Sequence, residues 1–402
     1  MEQKRLGYGF MRLPILNPND KAAIDIDRTC RLADIYMSHG FNYFDTAWMY
    51  HNFASEPVLK KAVVDRYPRE SYTITTKLPI GMMTCAEENE QIFQAQKEKL
   101  GVDYFDYYLL HNMNATCYPN VLKWGSIDYL RKKRDAGEIR HLGFSYHDTA
   151  ELLDRILTEQ PDLEVVQLQL NYLDWDNAGI QSRACYEVCR KHGKKVLVME
   201  PVKGGTLANN VPEDAQRIMK EAHPDWSIAS WAIRFAASQP GVMMVLSGMS
   251  DEAQVEDNCA SMENFEPLTE EDLKVLDRVK DIIEGNIAIP CTGCSYCVEE
   301  NECPVHMNIP TYFSLFNTEM VNTNPSWSSE KEYYHNLLSQ DFGRMSDCIQ
   351  CGGCEEVCPQ HLPIIEWLEQ LSTFFDLPGA GRTPEEHEAL AKLHAYVDAK
   401  KA

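Results

Sequence analysis

Positive charge is scarce in this chain. Its 38 lysines and arginines stand against 61 aspartates and glutamates, a net charge of −23. So negative a protein repels phosphate backbones and anionic lipid, which argues against nucleic acid and membrane as partners. Long apolar runs are also missing: no stretch approaches the roughly 20 apolar residues needed to span a bilayer. The start, MEQKRLGYGF, carries no signal-peptide core. The chain reads as a cytoplasmic globular protein. No G-x-G-x-x-G follows the first strand candidate, so a Rossmann domain is poorly supported.

Cysteine is not scarce. There are 14, and disulfides are unexpected in a reducing cytosol. Six are scattered (Cys30, Cys85, Cys117, Cys185, Cys189, Cys259) and read as buried small hydrophobes. The other eight form two runs. Cys291-x2-Cys294-x2-Cys297 recurs 57 residues on as Cys348-x2-Cys351-x2-Cys354, and the copies end in Cys303-Pro304 and Cys358-Pro359. The second run has the spacing of a bacterial-type ferredoxin [4Fe–4S] site, in which the fourth cysteine serves the other cluster of a pair. Two [4Fe–4S] clusters are therefore expected. Cys291, Cys294, Cys297 and Cys358 should hold one; Cys348, Cys351, Cys354 and Cys303 should hold the other. The first run departs from the pattern, with five residues rather than three before Cys303. Structural zinc is the competing reading, but zinc takes two pairs per ion, not triplets each followed by a lone Cys-Pro. His306 and His361 read as loop structure rather than ligands.

The 402 residues exceed one ordinary domain but suit a barrel of about 250 plus an appendage. Eight strand candidates alternate with helices: Arg5–Phe10, Asn42–Asp45, Tyr72–Lys77, Tyr104–His111, Arg140–Ser145, Glu164–Leu170, Lys195–Glu200 and Gly241–Ser247. That alternation predicts a closed (β/α)₈ barrel of the TIM type. Helices are expected after Asp25, Ser55, Thr84 and Ser126, the first closed by Gly40 and the last two by Gly101 and Gly137. Thr269 and Asp272 open a last helix as a near capping box, closed by Gly285. The expected division is a barrel over 1–284, a small, mainly helical ferredoxin-like domain over 285–376, helical within 311–345, and a helical tail over 377–402. The tail sets Leu390, Leu393 and Val397 on one side for packing on the body.

Three barrel strands stop on titratable residues: Asp45 in FDTAWMY, Lys77 in YTITTK and His111 in YFDYYLLH. In a parallel barrel such ends converge on one mouth. Tyr50 follows Asp45 by five positions. A free phenol, with a pKa of about 10, is a poor acid at neutral pH. A nearby ammonium favours the phenolate, a part for Lys77 if Asp45 holds it by a salt bridge. His111 could orient a substrate carbonyl. A tuned acid, an oriented carbonyl and no activated Ser or Cys nucleophile point to carbonyl reduction by hydride, or its reverse. Trp48, Tyr146, His147 and Trp175 are candidates for the substrate pocket, although Trp175 in YLDWDN could simply shield a loop.

Taken in order, LGYGFMRLP, FDTAWMY, TTK, LLH, GEIRHLGFS and VQLQLNY resemble the aldo-keto reductase family over roughly residues 5–284. The resemblance implies a catalytic set of Tyr50, Lys77, Asp45 and His111. It also implies a nicotinamide cofactor, NADPH more often than NADH, lying extended across the mouth. Ser145 and Gln167 would then bond the nicotinamide carboxamide, with Asn258 near the adenine and Thr46 and Ser247 also on the cofactor. With its cysteine repeat, the chain looks like a ferredoxin-tailed branch of that family. Three positions depart from the pattern. Tyr146 and His147 follow Ser145 where an Asn is usual, Met199 replaces an aromatic, and Gln254 stands where NADPH-preferring members carry an arginine. Glutamine lacks the charge that holds a 2′-phosphate.

Hydride moves two electrons and a [4Fe–4S] cube moves one, so coupling them calls for a converter such as a flavin. The expected substrate is a small carbonyl or alcohol compound. A ferredoxin or flavoprotein is the candidate redox partner if the clusters take part. Two further readings stay open: an ordinary reductase whose clusters are structural or sense oxygen, and a non-catalytic electron relay on a barrel scaffold.

Overall fold

The computed structural model describes residues 4–17, 20–176, 180–301, 303–320, 328–338 and 342–401. The chain folds as two compact units, residues 1–280 and 281–402. The expected (β/α)₈ barrel forms the first. Its strands are β1 (Leu6–Gly9), β4 (Tyr43–Asp45), β5 (Thr73–Leu78), β6 (Phe105–Met113), β7 (Ile139–Tyr146), β8 (Val165–Gln169), β9 (Lys195–Met199) and β10 (Val242–Ser247). They close in the order β1-β10-β9-β8-β7-β6-β5-β4, and β1 pairs in parallel with both β10 and β4. Strands buried on both faces read as apolar runs; in β6 every residue of FDYYLLHNM is buried. Tyr43, Tyr107, Leu109, Val165, Leu197, Met244 and Leu246 fill the interior. Gly143 is required where β7 meets β8, since a Cβ there would stand 2.1 Å from the Val165 carbonyl oxygen.

A hairpin of β2 (Ile15–Asn17) and β3 (Asp20–Ile24) lies outside the eight-strand barrel. It was not expected. Its residues are mostly exposed, so no apolar alternation marks it. Asp25 caps the helix Ile26–Ser38 by accepting from the Arg28 amide at 2.9 Å. The helix expected from Thr84 begins at Glu88 instead, and Glu88 turns back to bond the Thr84 amide. Thr269 and Asp272 do form a reciprocal box, with Asp272 accepting from the Thr269 amide at 2.9 Å and Thr269 from the Asp272 amide at 3.2 Å. The helix they open runs to Asn286, past Gly285.

The second unit carries the cysteines, and its sequence repeat is also a repeat of conformation. Helix Tyr296–Glu299 corresponds to Gly353–Glu356. Backbone with positive φ recurs at Gly293 and Gln350, at Ser295 and Gly352, and at His306 and His361. The two histidines close matching turns, their amides donating to the carbonyls of Cys303 and Cys358 at 2.9 and 3.0 Å. Each turn leads into a longer helix, Ile309–Glu319 or Ile364–Phe375. The expected helical stretch over 311–345 is helix to Glu319 and over Ser329–Leu338; its residues 321–327 and 339–341 lie outside the described ones. Tyr312, Phe313, Phe316, Trp367 and Leu371 build the core, and Leu390, Leu393 and Val397 of the terminal helix Pro384–Lys401 pack into it. Two buried ion pairs, Arg382–Glu319 and Lys331–Glu386, tie these helices together.

Candidate functional site

Register brings the titratable strand ends together. Asp45 pairs with Thr75 on β5, and Lys77 pairs with Leu109, two residues before His111 on β6. The Lys77 ammonium donates to Asp45 Oδ1 at 2.7 Å, to the Thr46 carbonyl at 2.9 Å and to the Tyr50 hydroxyl at 3.4 Å. Gln167 Nε2 donates to the other Asp45 oxygen at 3.4 Å. The His111 ring lies edge-on to Tyr50 with centroids 5.9 Å apart. All four side chains are buried, and Tyr50, at 8 % exposure, is the most open.

Burial opposes the Lys77 charge, but Asp45 and the Tyr50 oxygen outweigh it and hold the ammonium above its ordinary range. Burial pushes Asp45 up, against the pull of Lys77 and Gln167. Burial, the Lys77 charge and His147 hold His111 well below the usual imidazole range, so it is a neutral ring at pH 7. Its Nδ1 has no hydrogen-bond partner among the described residues. Tyr50 reaches the cluster on a tight loop. The three residues after it, His51, Asn52 and Phe53, all have positive φ (53°, 50° and 68°), a conformation unfavourable for side chains other than glycine. Nothing in the residue types marks that strain.

A cavity of about 440 Å³ opens on this cluster. Of the expected residues, Asp45, Tyr50, Gln167, Ser247 and Asn258 line it, as do Met199 and Gln254. Lys77, His111, Thr46 and Ser145 do not. Thr46 bonds Ser55 at 2.8 Å, and Ser145 Oγ accepts from the Asn112 amide at 2.8 Å, so both hydroxyls serve the loops beside them. Asn258 donates to Ser247 Oγ at 2.7 Å. Gln167 Oε1 is buried and has no partner among the described residues. Trp48, Tyr146, His147 and Trp175 do not line the cavity. Trp175 packs on Tyr186 and Phe235, the loop-shielding arrangement.

The sequence reading missed three charged wall residues. Arg12 faces Glu200 across 3.8 Å, and Asp257 accepts from Ser227 at 2.6 Å. It also missed the glycine pair Gly204-Gly205 in the loop after β9, although a Lys-Gly-Gly run between a strand and a helix is a readable sign of close backbone approach.

In the second unit, Cys291, Cys294, Cys297 and Cys358 line one cavity with Ile309, Phe313 and Leu362. The Cys297 thiol is raised first by burial and then by the neighbouring sulfurs of Cys294, Cys291, Cys358 and Cys354. Burial pushes Cys354 up to about 12, with Glu355 and then Cys348, Cys351 and Cys303 adding to it. Cys358 thus lines a cavity with the first run, and Cys303 is among the sulfurs that act on Cys354. Among the described residues, no three His, Cys, Asp or Glu side chains gather closely enough to hold a single metal ion.

A closed parallel barrel with a buried Asp–Lys–Tyr cluster at its mouth, joined to a cysteine-rich helical unit, defines an oxidoreductase of two parts. The chain belongs to the aldo/keto reductase family, whose model matches residues 5–281, and a 4Fe-4S dicluster domain matches residues 290–363. It is 23 % identical over 282 residues to the NADH-specific methylglyoxal reductase of Escherichia coli, covering 59 % of this chain and 84 % of that protein. It is 24 % identical over 264 residues to the L-galactose dehydrogenase of Arabidopsis thaliana, covering 61 % and 81 %. Among solved structures, the holo form of an aldo-keto reductase from Bacillus halodurans superposes with a TM-score of 0.56 at 22 % identity, over 68 % of this chain and 91 % of that one. An aldo-keto reductase from Klebsiella pneumoniae in complex with NADPH gives 0.55 at 20 % identity, over 70 % and 96 %. No helix among the described residues is long and apolar enough to cross a membrane.

Proposed function

We propose that this protein reduces a small carbonyl compound with a nicotinamide cofactor, or runs the reverse oxidation, with Tyr50 as general acid and base. One observation carries the reading: the Lys77 ammonium is shared between Asp45 at 2.7 Å and the Tyr50 hydroxyl at 3.4 Å beside an open cavity. When bound, the nicotinamide supplies the hydride. Tyr50 gives its proton to the carbonyl oxygen, and Lys77 stabilises the phenolate that remains. Asp45 holds Lys77 in place. Neutral His111 orients the carbonyl through a hydrogen bond. Gln167 Oε1, a buried acceptor in the cavity wall, suits the amide hydrogens of a nicotinamide carboxamide. Ser247 and Asn258 line the same cavity; Ser145 and Thr46 act on it through the loops they hold.

The wall favours NADH. Arg12 is the one cation among its described residues, against the carboxylates of Asp45, Glu200 and Asp257, and Gln254 is neutral. Gln254 supplies no charge for a 2′-phosphate. Gln254→Arg should raise kcat/KM for NADPH by about tenfold with little change for NADH; no gain with NADPH would count against this account of the wall.

The cysteines suit two [4Fe–4S] clusters. Cys291, Cys294, Cys297 and Cys358 would hold one, around the cavity they line, and Cys348, Cys351, Cys354 and Cys303 the other, four thiolates for each cube. The clusters are read as carriers of single electrons, because one would already staple a unit this small. Electron exchange with the barrel then needs a flavin as converter, bound or on a partner flavoprotein, with an external ferredoxin as a candidate one-electron partner. Anaerobic purification with iron, sulfide and flavin analysis, followed by NADH oxidation with methylglyoxal, tests both halves. Turnover that leaves dithionite-reduced clusters reduced throughout would remove the electron-transfer role and leave the reductase.

A further inference from the structure

We propose that Glu56 is a positioning residue for proton transfer, a buried carboxylate that ties the Tyr50 loop to the Lys77 strand. The inference rests on the reading of Tyr50 as the acid. Glu56 is fully buried, on the helix Ser55–Leu59 that follows the Tyr50 loop. A carboxylate so placed is costly unless it is hydrogen-bonded or paired. Its Oε1 accepts from Thr76 Oγ1 at 2.7 Å and from Gln96 Nε2 at 2.6 Å. Thr76 directly precedes Lys77, and Gln96 also donates to the Lys77 carbonyl at 3.0 Å. Tyr108 donates to Gln96 Oε1 at 2.5 Å and so fixes which way the Gln96 amide faces.

The other oxygen is buried and accepts no hydrogen bond from the described residues. Glu56 Oε2 stands 3.9 Å from the Lys99 ammonium, which sits 3.4 Å over the Trp48 ring, and Trp48 packs edge-on against Phe53. Trp48 and Phe53 flank Tyr50 in sequence, and Phe53 ends the run of three positive φ angles. A loop in that conformation persists only while its surroundings hold it. One carboxylate therefore grips the backbone of the proton-tuning strand on one side. On the other, through Lys99 and Trp48, it grips the loop that presents the acid. Glu56 touches no cavity; its effect passes through Lys77 and Tyr50. Its carboxyl is raised by burial and drawn back by Thr76, Gln96, Lys99 and Lys77, which places it in the same electrostatic unit as the reacting lysine.

The experiment is steady-state kinetics on the anaerobically prepared full chain with NADH and methylglyoxal, from pH 6 to 10. Glu56→Leu, Glu56→Gln, Lys99→Met and Tyr50→Phe are compared. Glu56→Leu keeps the volume but loses the acceptor. It should lower kcat about thirtyfold with KM within about threefold, and move the alkaline limb of the kcat/KM profile upward as the Lys77–Tyr50 contact loosens. Glu56→Gln restores an acceptor for Thr76 and Gln96 and should recover most of that loss. A limb that moves down in Glu56→Leu would mean direct electrostatic action and would overturn positioning, as would an unchanged kcat and limb. If Glu56→Leu does not fold, Lys99→Met decides. It frees Trp48 from outside and should lower kcat a few fold at unchanged melting temperature; wild-type kcat there would refute the tie to the loop. Activity surviving in Tyr50→Phe would instead defeat the reading of the acid, independently of Glu56.

Discussion

At the barrel mouth the reacting groups come from separate places in the chain. Asp45, Tyr50, Lys77 and His111 meet because β4, β5 and β6 lie side by side in register. In the cysteine unit each run is local, and the loops that carry the two runs are near copies down to their positive φ residues. Long-range there are the proposed exchange of Cys303 and Cys358 between runs and the buried ion pairs Arg382–Glu319 and Lys331–Glu386. The mouth depends on buried charge held by other buried charge. The cysteine unit depends on spacing, with donors that need only be present around a space. A single substitution should therefore disturb the mouth through electrostatics and the cysteine unit through stoichiometry.

Lys77→Met presses hardest on the first half of that contrast. It leaves Asp45 buried without its partner, at a cost of about 3–5 kcal/mol in stability. It should also lower kcat/KM by about 10²- to 10³-fold through loss of the tuned acid. Urea unfolding and steady-state kinetics read the two effects separately, and a variant as stable and active as the parent would break the comparison. Cys358→Ala presses on the second half. About half the iron should be lost. Adding Cys294→Ala should remove no more, whereas adding Cys351→Ala should remove nearly all. The opposite pattern would mean that each run keeps its own lone cysteine.

A smaller effect concerns pH. Burial first, and charged neighbours second, hold His111 well below its ordinary range, and burial lowers His51 as well. A histidine that resists protonation when folded gives stability that is full above its unfolded pKa of about 6.5. That stability drains as pH falls from there toward the folded value. Below pH 6.5 the barrel should lose stability through both histidines, by at most about 1.4 kcal/mol per pH unit for each. Denaturant midpoints at pH 7.5, 6.5 and 5.5 check this, and a flat series would contradict it.

The sequence showed the regular parts of the molecule more clearly than the strained ones. The eight barrel strands carried β-rich apolar runs, because parallel strands are buried on both faces. The cysteine spacing was legible because the ligand pattern is the chemistry. The β2–β3 hairpin was not, since its exposed residues leave no period. The Tyr50 loop could be placed but not shaped: His51, Asn52 and Phe53 do not announce positive φ. Ser145 is expected on the cofactor only through the family resemblance, and its hydroxyl also accepts from the Asn112 amide, a contact residue type does not reveal. Glu56 was passed over beside a helix-starting proline. Burial, not residue type, gives it a part, and burial there depends on Gln96 and Tyr108, 40 and 52 residues away along the chain.

Tyr50→Phe is the most direct test of the barrel site. It removes one oxygen and leaves the ring, the Lys77–Asp45 pair and the cysteines in place. In the anaerobically prepared protein, oxidation of the reduced nicotinamide by a small carbonyl compound should fall by about 10²- to 10⁴-fold. Iron content, visible absorption and NADH binding should stay as in the parent. Turnover at the parental rate in Tyr50→Phe would contradict the assignment of the proton to Tyr50, and with it the role given to Lys77 and Asp45.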